Sequence, residues 1–375
     1  MGFGIRDSRF GERRAHVATI RRCIALAVGI GLAAWFARPA SAVENDEQLA
    51  RHEFTANEMG TLFRIVLYAE DADAARRASD AAFARVKELN GLLSDYEATS
   101  EINRLTAMGP NEDGMAVSRE LWTLLSRGQR LAEETDGAFD ITVGPYSRLW
   151  RRARRQKELP SSERMAEARE LVGYRHLELI PNGADAQGGK VRVKRAHMRL
   201  DLGGIAKGFA ADEALAVLRK AGIERAMVAA SGDMAFGAPP PGEEGWRIGI
   251  APLSAESDKP STYLRLARCG VSTSGDAFQY VEIGGKRYSH IIDPRTGLGL
   301  TESSSVTVVA GDATTADSLA TAISVAGRKA GEQLLEKYPG AEMFFVRREA
   351  EKVVPTASKG FERHVEGKKL SPPAK

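Results

Sequence analysis

A short segment, residues 269–297, carries an unusual density of hydroxyl, carboxylate, imidazole and guanidinium groups. These groups belong to Thr273, Ser274, Asp276, His290, Asp293, Arg295 and Thr296. Residues 280–283 and 286–292 are predicted to be the two strands of a hairpin, because Gly284-Gly285 is a two-residue turn signal. Pro294 and Gly297 then define the shape of the next turn. We therefore expect a functional site on a rigid turn.

His290 is the only one of the six histidines that lies in such a polar cluster, and Asp293 follows it closely. A single histidine is commonly a structural residue whose ring is hydrogen bonded inside the protein. Beside a phosphate-binding site, a histidine can instead accept a proton from an attacking hydroxyl. The residues alone leave both interpretations of His290 open.

Asp317 and Thr321 lie four residues apart in a helix predicted over residues 314–327. This spacing puts the carboxylate and the hydroxyl on one face of the helix. Together they would form part of a site for a hard cation such as Mg2+, which takes few protein ligands and keeps several waters. The alternative is that Asp317 complements the helix dipole and that Thr321 bonds its own backbone.

The double glycine Gly203-Gly204 lies between a predicted strand that ends near Asp201 and a helix that begins near Lys207. Backbone N–H groups at such a helix start favour phosphate. The glycines also fit close packing of a helix on a sheet, since the segment is neither a dinucleotide fingerprint nor a Walker loop. Asp201 would either bond a sugar or base, or cap the helix.

Two further groups of residues have both a functional and a structural interpretation. Met59, Tyr96 and Phe139 could pack on a flat ring, but each also fits a hydrophobic core. Residues 146–157 contain five arginines around Trp150. We interpret this basic segment as a solvated surface helix or loop, as most charge runs are.

The composition is that of a globular protein, with 375 residues, 43% hydrophobic and 27% charged. Residues 1–42 are expected to be a signal peptide. Arg21-Arg22, which resemble a twin-arginine signal, precede an apolar run at 24–36 that is short for a membrane span, and Ala40-Ser41-Ala42 fits signal-peptidase cleavage. We expect an exported, periplasmic protein, either soluble or held at the inner membrane by an uncleaved N-terminus.

The charge of the chain depends on this leader. Residues 1–42 hold seven arginines and two acidic residues, and the whole chain carries +3. Residues 43–375 therefore carry about −2, so the composition gives no support to nucleic-acid binding. Cys269 is the one cysteine outside the leader. Neither an intramolecular disulfide nor a cysteine-based metal site is expected.

Helices interspersed with hairpins, without any repeat or heptad pattern, predict an α+β fold with mixed or antiparallel sheets and packed helices. Besides the hairpin, the predicted strands are 61–68, 177–180, 191–193, 197–202, 226–231, 246–251, 305–310, 343–346 and 352–354. The predicted helices include 73–93, 118–135 and 314–327, with others starting near Ser100, Ser161 and Gly204.

Several motifs taken in order resemble the ApbE family of flavin transferases. They are Met59-Gly60-Thr61, Ser94-Asp95-Tyr96, Ser100-Glu101-Ile102, and the segments 137–145, 201–212, 289–297 and 316–322. The resemblance covers nearly the whole chain after the leader. It implies an ApbE-like, T-fold-like domain at residues 43–362, followed by a polar and disordered tail at 363–375. Ala230-Ser231-Gly232-Asp233 departs from the double glycine that is more usual in the family.

The resemblance implies an FAD:protein FMN transferase that uses Mg2+, cuts the pyrophosphate of FAD, releases AMP and attaches FMN to a Ser or Thr of a partner. The implied partner is an acceptor flavoprotein, such as a subunit of a membrane electron-transfer complex, and no nucleic acid. Two alternatives remain open. Attack by water would make the protein a hydrolase that releases FMN and AMP, and a protein without catalysis would store or deliver FAD.

The resemblance also implies the residues of the site. The metal ligands would be the side chains of Asp317 and Thr321, with the backbone carbonyls of Gly204 and Ala320. His290 would activate the acceptor hydroxyl and Asp293 would orient His290. The implied FAD contacts are Met59, Tyr96, Ala138, Phe139, Asp140, Asp201, Lys207 and Ile292.

Overall fold

An eight-stranded sheet, in which all neighbouring strands run antiparallel, forms the centre of the protein. The computed structural model describes residues 48–183, 187–251, 253, 260, 262–275, 279–349 and 352–368. The predicted signal peptide, Asp276 and the end of the predicted tail lie outside these residues. All of the described residues belong to one compact unit.

The strands and helices were assigned as follows. The strands are β1 (Ala50–Glu58), β2 (Thr61–Ala69), β3 (Met115–Ala116), β4 (Leu177–Pro181), β5 (Gly189–Val193), β6 (Ala226–Ala230), β7 (Asp233–Phe236), β8 (Trp246–Ile250), β9 (Thr262–Leu266), β10 (Gly270–Gly275), β11 (Tyr280–Ile283), β12 (Lys286–Ser289), β13 (Ile292–Asp293), β14 (Leu298–Gly299), β15 (Ser304–Ala310), β16 (Glu342–Glu349) and β17 (Lys352–Ala357). The helices are α1 (Ala72–Leu93), α2 (Glu101–Ala107), α3 (Arg119–Glu134), α4 (Gly144–Gln156), α5 (Ser162–Arg169), α6 (Ala206–Lys220), α7 (Ala313–Ala326) and α8 (Arg328–Leu335). Within the described residues, no helix has the length and apolar character that crossing a membrane requires.

The central sheet has the strand order β1-β2-β6-β7-β10-β15-β16-β17. Smaller sheets are formed by β3-β5-β4, β8-β9, β11-β12 and β13-β14. Because antiparallel pairs and separate helices make up the molecule, the predicted α+β class is confirmed.

Both faces of the central sheet are covered by apolar side chains. Along β15, Val306 and Val308 belong to the main core under the helices, whereas Val309 belongs to a second core on the other face. This alternation follows from the two-residue period of a strand. The second core is closed by the β8-β9 hairpin and by Phe361 and Val365, and Cys269 lies partly buried against it.

Helices α6 and α7 approach each other and the sheet very closely. A Cβ atom on Gly208 would lie 2.2 Å from the Ala313 carbonyl oxygen, and a Cβ atom on Gly270 would lie 2.1 Å from the Ala313 nitrogen. Only glycine can occupy these two positions without moving the backbone of α7. The short distance brings polar side chains of α6, α7 and β10 into one place.

The start of α7 is held by the carboxylate of Asp212 in α6. Asp212 accepts hydrogen bonds from the backbone N–H groups of Ala313 and Thr314, both 2.9 Å long, and from the Thr314 hydroxyl at 2.6 Å. Asp312 is the N-cap of α7 and accepts from the Thr315 N–H at 2.6 Å. The two carboxylates therefore satisfy three backbone donors that the helix start would otherwise leave unpaired.

Two strand predictions were wrong or incomplete. Residues 197–202 were predicted to be a strand but lie in turns and extended chain, where the Asp201 N–H donates to the Ile141 carbonyl at 2.8 Å. Strand β1, which was not predicted, pairs with β2 over its whole length through a two-residue turn at Met59 and Gly60. Its side chains alternate only between exposed and half-buried positions. The alternation of polar and apolar residues that predicts a strand is therefore weak in this part of the sequence.

The basic segment is a helix, α4, with only one face in solvent. Tyr146 and Trp150 are buried, and the Trp150 indole N–H donates to the Gly297 carbonyl at 2.7 Å. The Trp150 ring also packs on Tyr288 of β12, with ring centroids 5.0 Å apart. The prediction of a purely solvated segment was therefore incomplete, since α4 supports the hairpin β11-β12 and the turn after it.

The hairpin and the C-terminal boundary also differ in detail from the expectation. The hairpin turn at Gly284-Gly285 was correctly predicted, but its second strand stops at Ser289 instead of Ile292, because the Ser289 N–H turns to the Leu300 carbonyl. Packed chain continues past residue 362, since Val365 is buried and Glu366 pairs with Arg247 and Arg265 at 2.9 Å each.

The contacts of Asp212 predict a specific loss of stability. Asp212→Asn keeps the side-chain volume but replaces a charged acceptor that serves three donors, so we expect about 2 kcal/mol less free energy of unfolding. Urea unfolding followed by circular dichroism measures this difference. Asp80→Asn, an exposed residue of α1, is the matched control, and equal midpoints for the two variants would contradict the anchoring of α7.

Candidate functional site

The candidate site lies where α6, α7, β7 and β10 meet. It gathers Lys207 from α6, Asp233 from β7, Ser274 from β10, and Asp317 and Thr321 from α7. The residues come together because the glycines of α6 and β10 let α7 sit directly on both elements. Sequence spacing correctly predicted that Asp317 and Thr321 share a face.

Asp317 is a buried carboxylate, only 2% exposed. One of its oxygens accepts a hydrogen bond from the Gly208 N–H at 3.0 Å. Its burial and the nearby negative charge of Asp233 raise its pKa to about 7, although Lys207 opposes this change. A carboxylate in this position gains free energy from any cation placed next to it.

Lys207 and Asp233 form an ion pair beside Asp317. The Lys207 ammonium contacts one carboxylate oxygen of Asp233, and the Ser272 hydroxyl donates to the other at 2.6 Å. Burial alone would lower the pKa of Lys207, but Asp317 and Asp233 together raise that pKa above its usual value. Two carboxylates thus face one ammonium, which leaves an excess of negative charge in the cluster.

Thr321 and Gly204 bound the other side of the cluster. The Thr321 hydroxyl lies 3.3 Å from the Ser274 hydroxyl, and a Cβ atom on Gly204 would lie 3.0 Å from the Thr321 Oγ1. Gly204 therefore lies next to the Thr321 side chain. The Ala320 carbonyl, the fourth predicted ligand, accepts the Ser324 hydroxyl at 2.8 Å within α7.

The donor set decides which metal these residues fit. Asp317, Thr321 and Ser274 offer oxygen atoms only, and the described residues contain no cluster of three or more His, Cys, Asp or Glu side chains around one point. Sites for zinc and other transition metals use imidazole or thiolate nitrogen and sulfur. Few oxygen ligands with one carboxylate suit Mg2+, whose remaining positions are filled by water and substrate phosphates.

A second polar cluster surrounds Arg151 on α4. Its guanidinium donates to Asp95 at 2.5 Å and to Asp201 at 3.3 Å, and it lies over the Tyr96 ring, 4.0 Å from the centroid. Burial and the charge of Asp201 raise the pKa of Asp95, whereas Arg151 opposes that change. Tyr96 itself is 75% exposed, so one face of its ring is available to a ligand.

Asp201 joins the two clusters. Its second oxygen accepts the Gly203 N–H at 2.8 Å, at the turn that leads through Gly204 into α6. The N-cap residue of α6, Ile205, has no side-chain oxygen, and the Ala206 N–H donates to the Leu202 carbonyl at 2.9 Å. The predicted phosphate-binding turn is thus placed between the metal candidates and Arg151.

His290 lies on the turn after the hairpin, three residues before Asp293. The His290 Nδ1 lies 3.1 Å from the Gln279 carbonyl oxygen. Both carboxylate oxygens of Asp293 accept from the Arg295 side chain, each at 2.9 Å. The backbone carbonyl of Gln279 therefore fixes the imidazole, because a carbonyl can only accept and Nδ1 must donate.

The other predicted FAD contacts lie in different environments. Met59 has a φ of +49° in the β1-β2 turn, and Ala138 packs with Ile291 near the end of α7. Phe139 is buried in the main core, and Ile292 pairs with Gly299. The carboxylate of Asp140 points into the protein, where it accepts from Thr142 N–H, Thr142 hydroxyl and Tyr174 N–H at 2.7 to 2.8 Å.

Two site residues were missed by the sequence reasoning. Asp233 was noted only as the end of a strand and as part of a departure from the family pattern, and Arg151 was counted in a solvated run. Asp233 follows Ser231, whose φ is +59°. The tight turn before Asp233 could have predicted that its carboxylate faces the start of a helix. Nothing in the local sequence distinguished Arg151 from the neighbouring arginines.

Several known proteins are similar in sequence to this chain. The ApbE family model matches residues 59–345. The FAD:protein FMN transferase of Treponema pallidum is 31% identical over 303 residues, which cover 77% of this chain and 82% of that protein. The FAD:protein FMN transferase of Vibrio cholerae is 32% identical over 254 residues, covering 67% of this chain and 74% of that protein.

Solved structures show the same fold. The flavin transferase ApbE from Vibrio cholerae superposes with a TM-score of 0.74 at 26% identity and covers 84% of this chain and 99% of its own. The flavinyl transferase ApbE of Pseudomonas stutzeri gives 0.71 at 31% identity, with 84% and 97% covered. The chain belongs to the ApbE family.

The Arg151 cluster predicts a pH-dependent change in stability. Arg151→Met leaves Asp95 and Asp201 facing each other without a cation, so we expect about 2 kcal/mol less free energy of unfolding at neutral pH. Loss of Arg151 raises the pKa of Asp95 further, and the penalty exists only while that carboxylate is charged. The difference from the wild type should therefore shrink as pH falls toward about 4.

Urea unfolding at several pH values tests this prediction. Arg152→Met, on the exposed side of the same helix, controls for the loss of a charge from α4. A stability difference that stays constant across the pH range would show that Arg151 acts through packing alone.

Proposed function

We propose that the protein transfers FMN from FAD to a Ser or Thr hydroxyl of an acceptor flavoprotein, with Mg2+ and with release of AMP. The observation that carries this proposal is the buried Asp317 beside Thr321, Ser274 and Gly204, with Lys207 at the start of α6. This arrangement offers a cation site and a phosphate site side by side. The names of the relatives, which are FAD:protein FMN transferases, support the same activity.

The reaction replaces a phosphoanhydride bond of FAD with a phosphoester bond to the acceptor. The acceptor hydroxyl oxygen bonds to the phosphorus of the FMN half, the bond from that phosphorus to the bridging oxygen breaks, and AMP leaves with that oxygen. The proton of the hydroxyl must go to a base. Phosphoryl transfer of this kind depends mainly on positioning and on neutralisation of phosphate charge.

Asp317 and Thr321 would hold Mg2+ with their side chains, and Gly204 and Ser274 would complete the set through oxygen atoms. When bound, the cation would neutralise charge on the pyrophosphate. Lys207 brings a second positive charge to the same place, since its ammonium is kept charged by Asp233 and Asp317. The positive end of the α6 dipole would favour phosphate oxygens next to it.

Tyr96 and Arg151 would recognise a flat ring of FAD. One face of the Tyr96 ring carries the Arg151 guanidinium and the rest of the side chain is exposed. A ring system stacked on the open face would complete a sandwich that favours aromatic groups. Asp95 and Asp201 keep the guanidinium in place, so this stacking surface exists before the ligand binds.

His290 would accept the proton of the acceptor hydroxyl. Because its Nδ1 donates to the Gln279 carbonyl, the neutral ring carries its lone pair on Nε2. The turn that holds His290 rests on α4 through Trp150 and Gly297, which restricts the position of the imidazole. Because the imidazole is held in place, the acceptor hydroxyl must come within hydrogen-bond distance of it.

We also propose that residues 1–42 direct export to the periplasm and that the acceptor is a subunit of a membrane electron-transfer complex. The arginine pair, the apolar run at 24–36 and Ala40-Ser41-Ala42 support export. N-terminal sequencing of the protein recovered from the periplasm should start at Val43. Recovery of the intact N-terminus from membranes would instead show an uncleaved anchor.

The decisive experiment uses residues 43–375 with FAD, Mg2+ and a fragment of a flavoprotein that carries an acceptor Thr. Intact mass spectrometry measures the mass of the fragment, and an AMP assay measures the amount of AMP released. An FMN-sized mass increase with equal AMP is expected. AMP and free FMN without an adduct would show a hydrolase, and unchanged FAD held by the protein would show a delivery protein.

Asp317→Asn should lower the rate of AMP release by about 100-fold or more, because the cation site loses its one buried carboxylate. Titration calorimetry should show weaker Mg2+ binding in the presence of FAD. Asp80→Asn, the same substitution at an exposed position, is the control. Full activity of Asp317→Asn would exclude the metal assignment.

His290→Ala should slow FMN transfer by about 100-fold while the KM for FAD changes little, because a general base acts on the reaction and not on binding. His52→Ala, a half-buried histidine on β1, is the matched control. An increase in KM for FAD at constant kcat would instead place His290 in the nucleotide contacts.

A further inference from the structure

Helix α4 exposes a row of positive charges. Helix α4 contains five arginines and no acidic residue in 13 positions, although residues 43–375 carry about −2 in total. Arg148, Arg152 and Arg155 are exposed. Spaced at i, i+4 and i+7, they form one stripe along the helix, which we call the arginine stripe.

The arginine stripe begins at the candidate site. With 3.6 residues per turn, Arg155 and Arg148 lie about 40° and 60° around the helix from Arg151, and Arg152 about 100°. Arg151 itself reaches Asp95, Asp201 and the Tyr96 ring. A chain bound along the stripe would therefore enter directly beside the residues that surround the proposed FAD site.

The charges of the stripe are not neutralised within the described residues. Arg148, Arg152 and Arg155 form no salt bridge there, whereas Arg85, Arg265 and Arg127 elsewhere each pair with carboxylates. Burial and the nearby charge of Arg148 lower the pKa of Arg199, whose backbone lies against Gly144 at the start of α4. Arg199 therefore adds a further positive charge next to Arg148.

We propose that the arginine stripe is the docking surface for an acidic segment of the acceptor protein, which leads its Ser or Thr to the site. This inference rests on the proposed transferase function. An acidic partner is favoured over a lipid surface because the exposed residues of α4 are the three arginines of the stripe and Gln156, and none of them is apolar. Arginine also forms two-point hydrogen bonds with carboxylates.

The test compares wild-type protein with R148Q/R152Q/R155Q. The probes are two fluorescent peptides with one central Thr, flanked by four Asp in the first and by four Asn in the second. Anisotropy gives Kd for each peptide without turnover. The control variant K220Q/K329Q/K337Q removes three exposed charges elsewhere, from the end of α6, from α8 and from the turn after α8.

The wild type and the control variant should bind the Asp peptide about tenfold more tightly than the Asn peptide, with the difference lost at high salt. The stripe variant should bind both peptides equally, and its melting temperature should not fall, since repulsion between arginines is relieved. Equal binding of the two peptides by the wild type would overturn the proposal. So would an equal loss in the control variant.

Two further measurements separate the remaining outcomes. The first is binding to vesicles of phosphatidylcholine with phosphatidylglycerol. If the vesicles bind the wild type but not the stripe variant, and the wild type shows no preference for the Asp peptide, the stripe binds a membrane surface and the proposal is overturned. FMN transfer to the Asp peptide is read by mass. Selective peptide binding without transfer would refute the transferase function and leave the acidic docking surface standing.

Discussion

The close contact of α6, α7 and β10 is the constraint on which the site depends. Gly208 has no side chain, so its backbone N–H reaches the carboxylate of Asp317, which is buried in α7. The same contact places Lys207 and Asp233 next to that carboxylate. A larger residue at Gly208 would separate the helices, and the polar cluster would lose both its geometry and its protection from water.

The cluster is not an arrangement that stability alone would favour. The carboxylates of Asp233 and Asp317 are buried beside the half-buried Lys207, whose one ammonium compensates their negative charge only in part. Removing ionised groups from water is costly unless they are fully paired, so such clusters concentrate at functional sites. The surrounding alanine-rich helices and valine-rich strands supply the burial that keeps this unfavourable cluster in place.

Local signals made part of this structure predictable. The spacing of Asp317 and Thr321, the glycines before α6 and the turn at Gly284-Gly285 each act over a few residues, and the structure contains all three features. Asp233 and Arg151 were missed because their partners are far away along the chain, Arg151 binding carboxylates 50 and 56 residues distant. The resemblance to a family identified the fold, but it could not show that Asp140 faces inward or that Gln279 fixes His290.

The partly buried Cys269 has a practical consequence. Burial raises the pKa of its thiol to about 11, so only about one molecule in ten thousand carries the reactive thiolate at neutral pH. Alkylating reagents and disulfides should therefore leave this residue largely untouched. A cysteine introduced on the surface of residues 43–375 would react alone, which permits a single spectroscopic label without first replacing the native thiol.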